Sequence, residues 1–322
     1  MKAYPLVTIG VLCYNTGKFV VESMECIPKQ HYPNIEIIIV DDCSTDGVSA
    51  DLIQKYIDTH QLDCVFIRNT ENKGISRNMN YIIGKANTES KYLTFLCDDL
   101  WDDKFLHTLV EILEQSKENE LFVYSDVRIM DYNTKEITGI TDSTAIHSNS
   151  ENSQRLFSHN KGSLFTLPNK EFIEFLFETN PIYPIGMLYK TPLLKNEGGF
   201  CSNYFFEDYP TWFKFASLGY DFLYYHEALS NYVRHGNNMS IQRNKEIKEV
   251  NRQLTIEFIS YCNRIYTLKK IVPQLIYNYG EEGWISLKKL RFTIQLISKN
   301  KKIIFAIISN SIDKIFKIKR VY

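Results

Sequence analysis

Apolar positions along this chain fall into two rhythms. Largely apolar runs rich in β-branched residues occur at Leu6 to Leu12 (LVTIGVL) and Ile35 to Val40 (IEIIIV), the pattern of strands covered on both faces of a parallel sheet. Between them a helix-like stretch begins after Asn15-Thr16-Gly17 and closes before His31-Tyr32-Pro33-Asn34, a turn signal. The alternation continues with a helix over Asp51 to Thr59, a strand over Cys64 to Arg68, a helix over Ser76 to Lys85 and a strand over Tyr92 to Leu96. A helix over Lys104 to Gln115 and a strand over Leu121 to Asp126 follow. Regular alternation of this kind predicts an α/β fold with a mainly parallel central sheet and helices on both faces.

From Gly139 to Pro168 the chain is rich in Ser, Thr and Asn and follows neither period, which reads as a mobile loop. Phe172 to Glu178 and Trp212 to Leu218 read as helices. Beyond Ile241 the pattern is helical and increasingly basic. The domain reading is therefore a body over residues 1–240 and a helical extension over 241–322.

With 322 residues, 44% of them apolar and 14% aromatic, the chain has enough material for a sizeable core. Seven scattered cysteines without a CxxC pair suggest neither a disulfide framework nor a thiolate zinc site, and fit a reducing cytoplasm. The first residues lack the pattern of a signal peptide. A net charge of -1 hides an asymmetry: Trp284 to Tyr322 holds ten Lys/Arg and one acid, leaving about -10 on the rest. Ile304, Ile308, Ile312 and Ile315 would share one helix face flanked by lysines, in a segment far shorter than the roughly 20 apolar residues of a membrane span. An interfacial helix on an anionic membrane surface is the preferred reading over a plain packed helix. The tail has no base-stacking platform, so nucleic acid is not an expected partner.

Four stretches carry candidate chemistry. Val40-Asp41-Asp42-Cys43-Ser44-Thr45-Asp46-Gly47 puts two carboxylates at the carboxyl end of an apolar strand, where open α/β sheets bind ligands; the plainer alternative is that Ser44 and Asp46 cap the next helix. Phe95-Leu96-Cys97-Asp98-Asp99-Leu100-Trp101 delivers two more acids from a second strand, a donor set suited to Mg²⁺ or Mn²⁺ with diphosphate oxygens. The alternative is that Asp102 and Asp103 cap a helix and leave Asp98 and Asp99 in solvent. Phe206-Glu207-Asp208 embeds two acids among aromatics, where partial burial raises proton affinity as a general base requires, although a carboxylate at a helix N-terminus explains Asp208 alone equally well. Tyr232-Val233-Arg234-His235 offers a cation for phosphate and an imidazole for metal; a lone histidine is also an ordinary packing residue.

Taken in order, these stretches resemble the family 2 glycosyltransferases of the GT-A fold. Val7 to Asn15 (VTIGVLCYN) is similar to the family's opening strand and Tyr-Asn turn, Glu36 to Asp46 (EIIIVDDCSTD) to its Val-Asp-Asp segment, and Asn72 to Ser76 (NKGIS) to its Asn-x-Gly-x-Ser segment. Cys97-Asp98-Asp99 resembles the shorter form of the family's Asp-x-Asp motif, Glu207-Asp208 its base motif, and Tyr232 to His235 its Tyr-x-Arg-His stretch. The resemblance covers about residues 5 to 240. It implies a nucleotide-binding half over about 1–103 and an acceptor half over 104–240.

By residue, the resemblance implies that Tyr14 stacks near the base and that Asp42, with Asp41 nearby, hydrogen-bonds it. Arg77 would lie near base or diphosphate, although it stands closer to the Asn-x-Gly-x-Ser segment than the family's usual Arg-Asn pair. Asp98 would contact the ribose, Arg234 the diphosphate, and Asp99 with His235 a divalent Mn²⁺ or Mg²⁺. Asp208 would be the base and Glu207 would orient hydroxyls. The expected activity is inverting transfer of a sugar, with UDP the expected carrier, to a saccharide or lipid-linked saccharide of the cell envelope, on the inner face of the membrane. Two rivals remain: a nucleotidyltransferase, whose glycine-rich basic phosphate loop is missing from residues 7–17, and a noncatalytic carbohydrate- or membrane-binding protein on the same fold.

Overall fold

The two apolar runs form the centre of the sheet. In a computed structural model, β1 (Val7–Cys13) is buried along its whole length and pairs in parallel with β2 (Ile35–Asp41), which it reaches through α1 (Gly17–Met24) and α2 (Cys26–Lys29). The structure describes residues 4–141, 162–177, 180, 182–204, 206–236, 238, 243–261, 268, 271–272 and 287–307. After α3 (Ser49–His60), β3 (Val65–Arg68) adds in parallel to β2; after α4 (Ile75–Lys85), β4 (Tyr92–Leu96) adds in parallel to the other side of β1. These elements match the pattern reading within a residue or two.

The second half of the sheet is mixed. It contains β5 (Leu100–Trp101), then α5 (Phe105–Glu114), β6 (Glu120–Asp131), β7 (Ile137–Ile140), β8 (Ser163–Leu167), α6 (Asn169–Leu176), β9 (Met187–Lys190), α7 (Thr191–Asn196), α8 (Asp208–Ser217) and β10 (Asp221–Arg234). The sheet order is β3-β2-β1-β4-β9-β6-β10-β5, with β7 beside β6 and β8 beside β10. β9 enters antiparallel between β4 and β6, so β6 and its partner β10 again run parallel to β1. The segment Gly139 to Pro168, read above as loop, thus includes a strand. Ser163–Leu167 pairs antiparallel with β10, burying Phe165 and Leu167 while Leu164 and Thr166 face outward. Its five-residue alternation is masked in the sequence by the polar stretch before it, and residues 142–161 lie outside the described residues.

The chain divides into two compact units. One comprises Met1–Pro168, Pro181–Thr211 and Tyr220–Gln242 and holds the whole sheet; the other comprises Asn169–Asn180, Trp212–Gly219 and Arg243–Tyr322. The second unit thus takes in α6 and the end of α8 together with the chain from Arg243 onward. Within it, α9 (Asn244–Phe258) and α10 (Leu287–Lys299) are helical, and Phe213 stacks on Phe258 at 5.0 Å. Ile294, Ile304 and Phe305 are exposed there, as are Lys299, Lys301 and Lys302. Ile308, Ile312 and Ile315 fall outside the described residues. Among the described residues no helix is long and apolar enough to cross a membrane.

Close backbone approach fixes the turn after β1. A Cβ on Gly17 would stand 2.4 Å from Ser49 Cα, and Gly17 N donates to Ser49 Oγ at 2.8 Å. The start of α1 is thereby seated on the start of α3. Gly17→Ala should destabilise the fold by about 1–3 kcal/mol through overpacking, read as a lower urea midpoint; an unchanged midpoint would contradict the seating.

Candidate active site

The carboxyl ends of β1 to β4 meet in loops that bond to one another. Asn15 takes a left-handed conformation, φ 57°, which asparagine tolerates better than most residues. Its side-chain oxygen accepts from Thr45 N at 2.8 Å and Asp46 N at 3.2 Å, and its own N–H donates to Ser44 Oγ at 2.9 Å. Tyr14, at the top of this turn, is 45% exposed, an open aromatic face beside the loop. Asp46 accepts from Val48 N and Ser49 N at the start of α3, so the capping reading holds for Asp46. It does not account for Asp41 and Asp42.

Those two acids are almost fully buried and bonded within their own loops. Asp41 accepts from Ser44 Oγ and Ser44 N. Asp42 Oδ1 accepts from Asn69 Nδ2 at 2.9 Å and Lys73 N at 2.8 Å, and Oδ2 accepts from Gly74 N at 2.8 Å. Asn69 Nδ2 also donates to Asn78 Oδ1 at 2.8 Å. Asp42 therefore holds the Asn-x-Gly-x-Ser segment and the start of α4, and its Oδ2 retains room for a further donor. Arg77, in the first turn of α4, is exposed.

At the end of β4 the acids separate. Asp98 Oδ2 meets His235 Nε2 at 2.7 Å; Asp99 is 3% exposed and its Oδ1 accepts from Val233 N at 2.8 Å. The capping alternative for this stretch fails: Asp102 pairs with Arg128 instead, and Asp99 is not in solvent. Burial first, then the neighbouring charge of Asp98, pushes Asp99 well above the usual carboxylate range, against the Val233 N–H. His235 is fixed on three sides. Phe19 of α1 stacks on its ring at 3.9 Å and 6°, Asp98 holds its Nε2, and its N–H donates to Asn238 Oδ1 at 2.7 Å. Histidine and acids thus come together, with Asp98 rather than Asp99 as the direct partner. Arg234 is exposed, while its carbonyl accepts from Tyr132 N at 3.0 Å.

The acid pair before α8 completes the set. Asn80 of α4 clamps the Gly-Gly-Phe segment, accepting from Phe200 N at 2.7 Å and donating to Phe200 O at 2.8 Å. Glu207 follows, buried, with Oε2 lacking a hydrogen bond among the described residues, whereas Asp208 is half-buried as the first residue of α8. Burial, and then the Asp208 charge, raises Glu207 to about 8. Both acids act on the buried Tyr189 hydroxyl, and Glu207 joins Asp98 and Asp99 in raising the Cys97 thiol after desolvation. Glu207 is thereby within electrostatic reach of the end of β4.

The sequence profile described as glycosyl transferase family 2 matches residues 8–207, a span that holds the first three acidic stretches up to Glu207. The chain belongs to this family. Among curated relatives, glycosyltransferase GlyG of Streptococcus pneumoniae is 36% identical over 114 residues, covering 34% of this chain and 36% of GlyG. The UDP-Glc:alpha-D-GlcNAc-diphosphoundecaprenol beta-1,3-glucosyltransferase WfaP of Escherichia coli is 33% identical over 125 residues, covering 38% and 47%. The matches thus span between a third and a half of these relatives. Among solved structures, mannosyltransferase PcManGT of Pyrobaculum calidifontis, in complex with GDP-Man and Mn²⁺, superposes with a TM-score of 0.55 at 18% identity, covering 97% of this chain and 89% of that one. The likeness shows the GT-A fold.

Within this family 2 site, Asp98, Asp99 and His235 suit a divalent ion. They supply hard oxygens and an imidazole, and a cation would relieve the charge that burial concentrates on Asp99. Among the described residues no three such groups form a ready cage, which accords with Mg²⁺ and Mn²⁺ sites that use one or two carboxylates and take further oxygens from a diphosphate. Phe19, Asn69 and Asn238 escaped the sequence reading. Phe19 looks like any apolar helical residue, Asn69 meets Asp42 across 27 positions, and Asn238 bonds locally to His235 and Val233 in a stretch read for its arginine and histidine.

Because Glu207 binds its proton more tightly folded than unfolded, it stabilises the fold fully below its ordinary value near 4.5 and loses that contribution as pH rises towards about 8. The slope is at most about 1.4 kcal/mol per pH unit. Glu207→Gln should therefore flatten the fall in melting temperature between roughly pH 5 and 8, and a variant with the wild-type slope would contradict the raised proton affinity.

Proposed function

We propose that the chain is an inverting glycosyltransferase that moves a sugar from a UDP-linked donor to a hydroxyl of a saccharide or lipid-linked saccharide in envelope polysaccharide assembly. The observation that carries this reading is the division of labour between adjacent acids. Glu207 is held neutral near pH 7, while Asp208 stands half-exposed at the N-terminus of a helix, whose dipole favours its charged form. A single displacement requires one carboxylate base: Asp208 accepts the acceptor hydroxyl proton as that oxygen attacks the anomeric carbon, and the nucleoside diphosphate leaves from the opposite face. Glu207 orients sugar hydroxyls as a hydrogen-bond donor.

Donor binding follows from the loops above β1 to β4. Tyr14 stacks on the base, Asp41 and Asp42 frame it, Arg77 lies towards base or diphosphate, and Asp98 reaches the ribose. Asp99 and His235 would hold Mn²⁺ or Mg²⁺, with Arg234 beside the diphosphate. When bound, the ion neutralises charge developing on the leaving group. Support for UDP and a lipid-linked acceptor comes from the name of WfaP, and support for Mn²⁺ from the PcManGT complex. The second unit, through Ile294, Ile304, Phe305 and the lysines near them, would rest on an anionic membrane surface at the cytoplasmic face.

Asp208→Asn should preserve donor binding and lower turnover by about 10²- to 10⁴-fold; turnover within a few-fold of wild type would remove Asp208 as the base. Asp99→Ala should abolish the Mn²⁺-dependent part of UDP binding in calorimetry. Undiminished Mn²⁺-dependent binding would take Asp99 out of the metal site.

A further inference from the structure

A second histidine and acid stand on the catalytic face of the sheet, outside every motif named so far. Tyr224 O–H donates to Asp126 Oδ1 at 2.8 Å, and His226 Nδ1 meets Asp126 Oδ2 at 2.8 Å. Asp126 is 3% exposed, so its charge is held by these partners rather than by water. Nδ1 also meets the Tyr224 hydroxyl at 2.9 Å, and in the neutral tautomer that donates from Nδ1 to Asp126, Nε2 is left as an acceptor. Nε2 has no hydrogen bond from the described residues, and the side chain is 20% exposed. The strand departs from regular pairing at this point: the register of β10 against β6 shifts between Tyr225 and Ala228, setting His226 and Glu227 outside the ladder. Such bulges re-aim side chains and recur beside active sites.

The sheet register relates this cluster to the acids. Leu93 pairs with Tyr189 and Tyr189 with Phe122, while Tyr124 pairs with Met187. Carried two residues onward, Asp126 stands level with Cys97, immediately before Asp98, two strand spacings or roughly 10 Å away. The faces agree as well. Phe95, Tyr189, Phe122 and Tyr124 form a run of ring contacts, at 6.4, 5.6 and 6.5 Å, and Cys97 and Asp126 each lie two residues beyond a member of it. The dyad therefore stands across β9 from the end of β4, level with the start of the loop that carries Asp98 and Asp99.

We propose that His226 is an acceptor-binding residue, its Nε2 accepting a hydrogen bond from a hydroxyl of the acceptor saccharide while Asp126 and Tyr224 hold the ring. This rests on the glycosyltransferase reading. The plainer role, pinning the bulge to β8 through Gly162 N and His226 O at 2.9 Å, uses only the backbone and leaves the dyad unexplained.

The test uses the full chain, a panel of labelled nucleotide sugars, and lipid-linked saccharides extracted from membranes of the organism that encodes it. His226→Phe should lower incorporation at limiting extract by about 3- to 10-fold, the loss of one hydrogen bond, recover at high extract, and leave donor hydrolysis without extract unchanged. His226→Gln, which retains an acceptor oxygen, should keep most of the activity that His226→Met loses; this pair decides the matter if the Phe variant melts early. Unchanged incorporation at limiting extract, or hydrolysis and transfer falling together, would overturn the assignment. A wild-type chain that hydrolyses and transfers no sugar at all contradicts the transferase reading itself.

Discussion

The carboxylate of Asp42 is the tie on which the rest of the site depends. It stands just past the end of β2, which pairs in parallel with β1, and its two oxygens collect N–H groups from Asn69, Lys73 and Gly74. Hydrogen bonds to a charged acceptor contribute about 1.5–3 kcal/mol each when buried. That is enough to hold a glycine-containing loop, with Gly74 at φ 84°, in one conformation. The loop starts α4, and α4 carries Asn80, which clamps the segment leading to Glu207 and Asp208. A single buried charge thus links the floor of the nucleotide half to the position of the acid pair.

Charge is concentrated here at a cost that only function explains. Asp99 and Glu207 are buried with raised proton affinity, and neither is offset by an arginine or lysine ion pair among the described residues. Stability alone would favour apolar residues at both positions. Perturbed acids beside a cleft are the usual mark of a site that handles protons and cations. His235, sandwiched between Phe19 and Asp98, brings an imidazole to the residue next to Asp99.

Much of this was legible in the sequence. Largely apolar runs located β1, β2 and β4, because parallel strands covered on both faces leave few polar positions, and the acids at their ends marked the ligand side. The second half was less legible. β8 alternates over only five residues beside a polar stretch, and β9 is four residues long, too short for any period to show. The engagement of Asp98 by His235 across 137 positions, and of Asp126 by His226 across 100, depends on strand order, which no local pattern encodes. Motif order singled out Asp98 and His235 but neither Asp126 nor His226, and the structure shows which acid meets which histidine.

In the proposed mechanism a single carboxylate base, Asp208, acts opposite the leaving diphosphate, which commits the chemistry to a single displacement. The most direct measurement is the configuration of the sugar first released when the chain hydrolyses an α-linked UDP-sugar, followed by proton NMR before mutarotation. Initial release of the β-anomer is the result expected from direct attack assisted by Asp208; initial release of the α-anomer would contradict it.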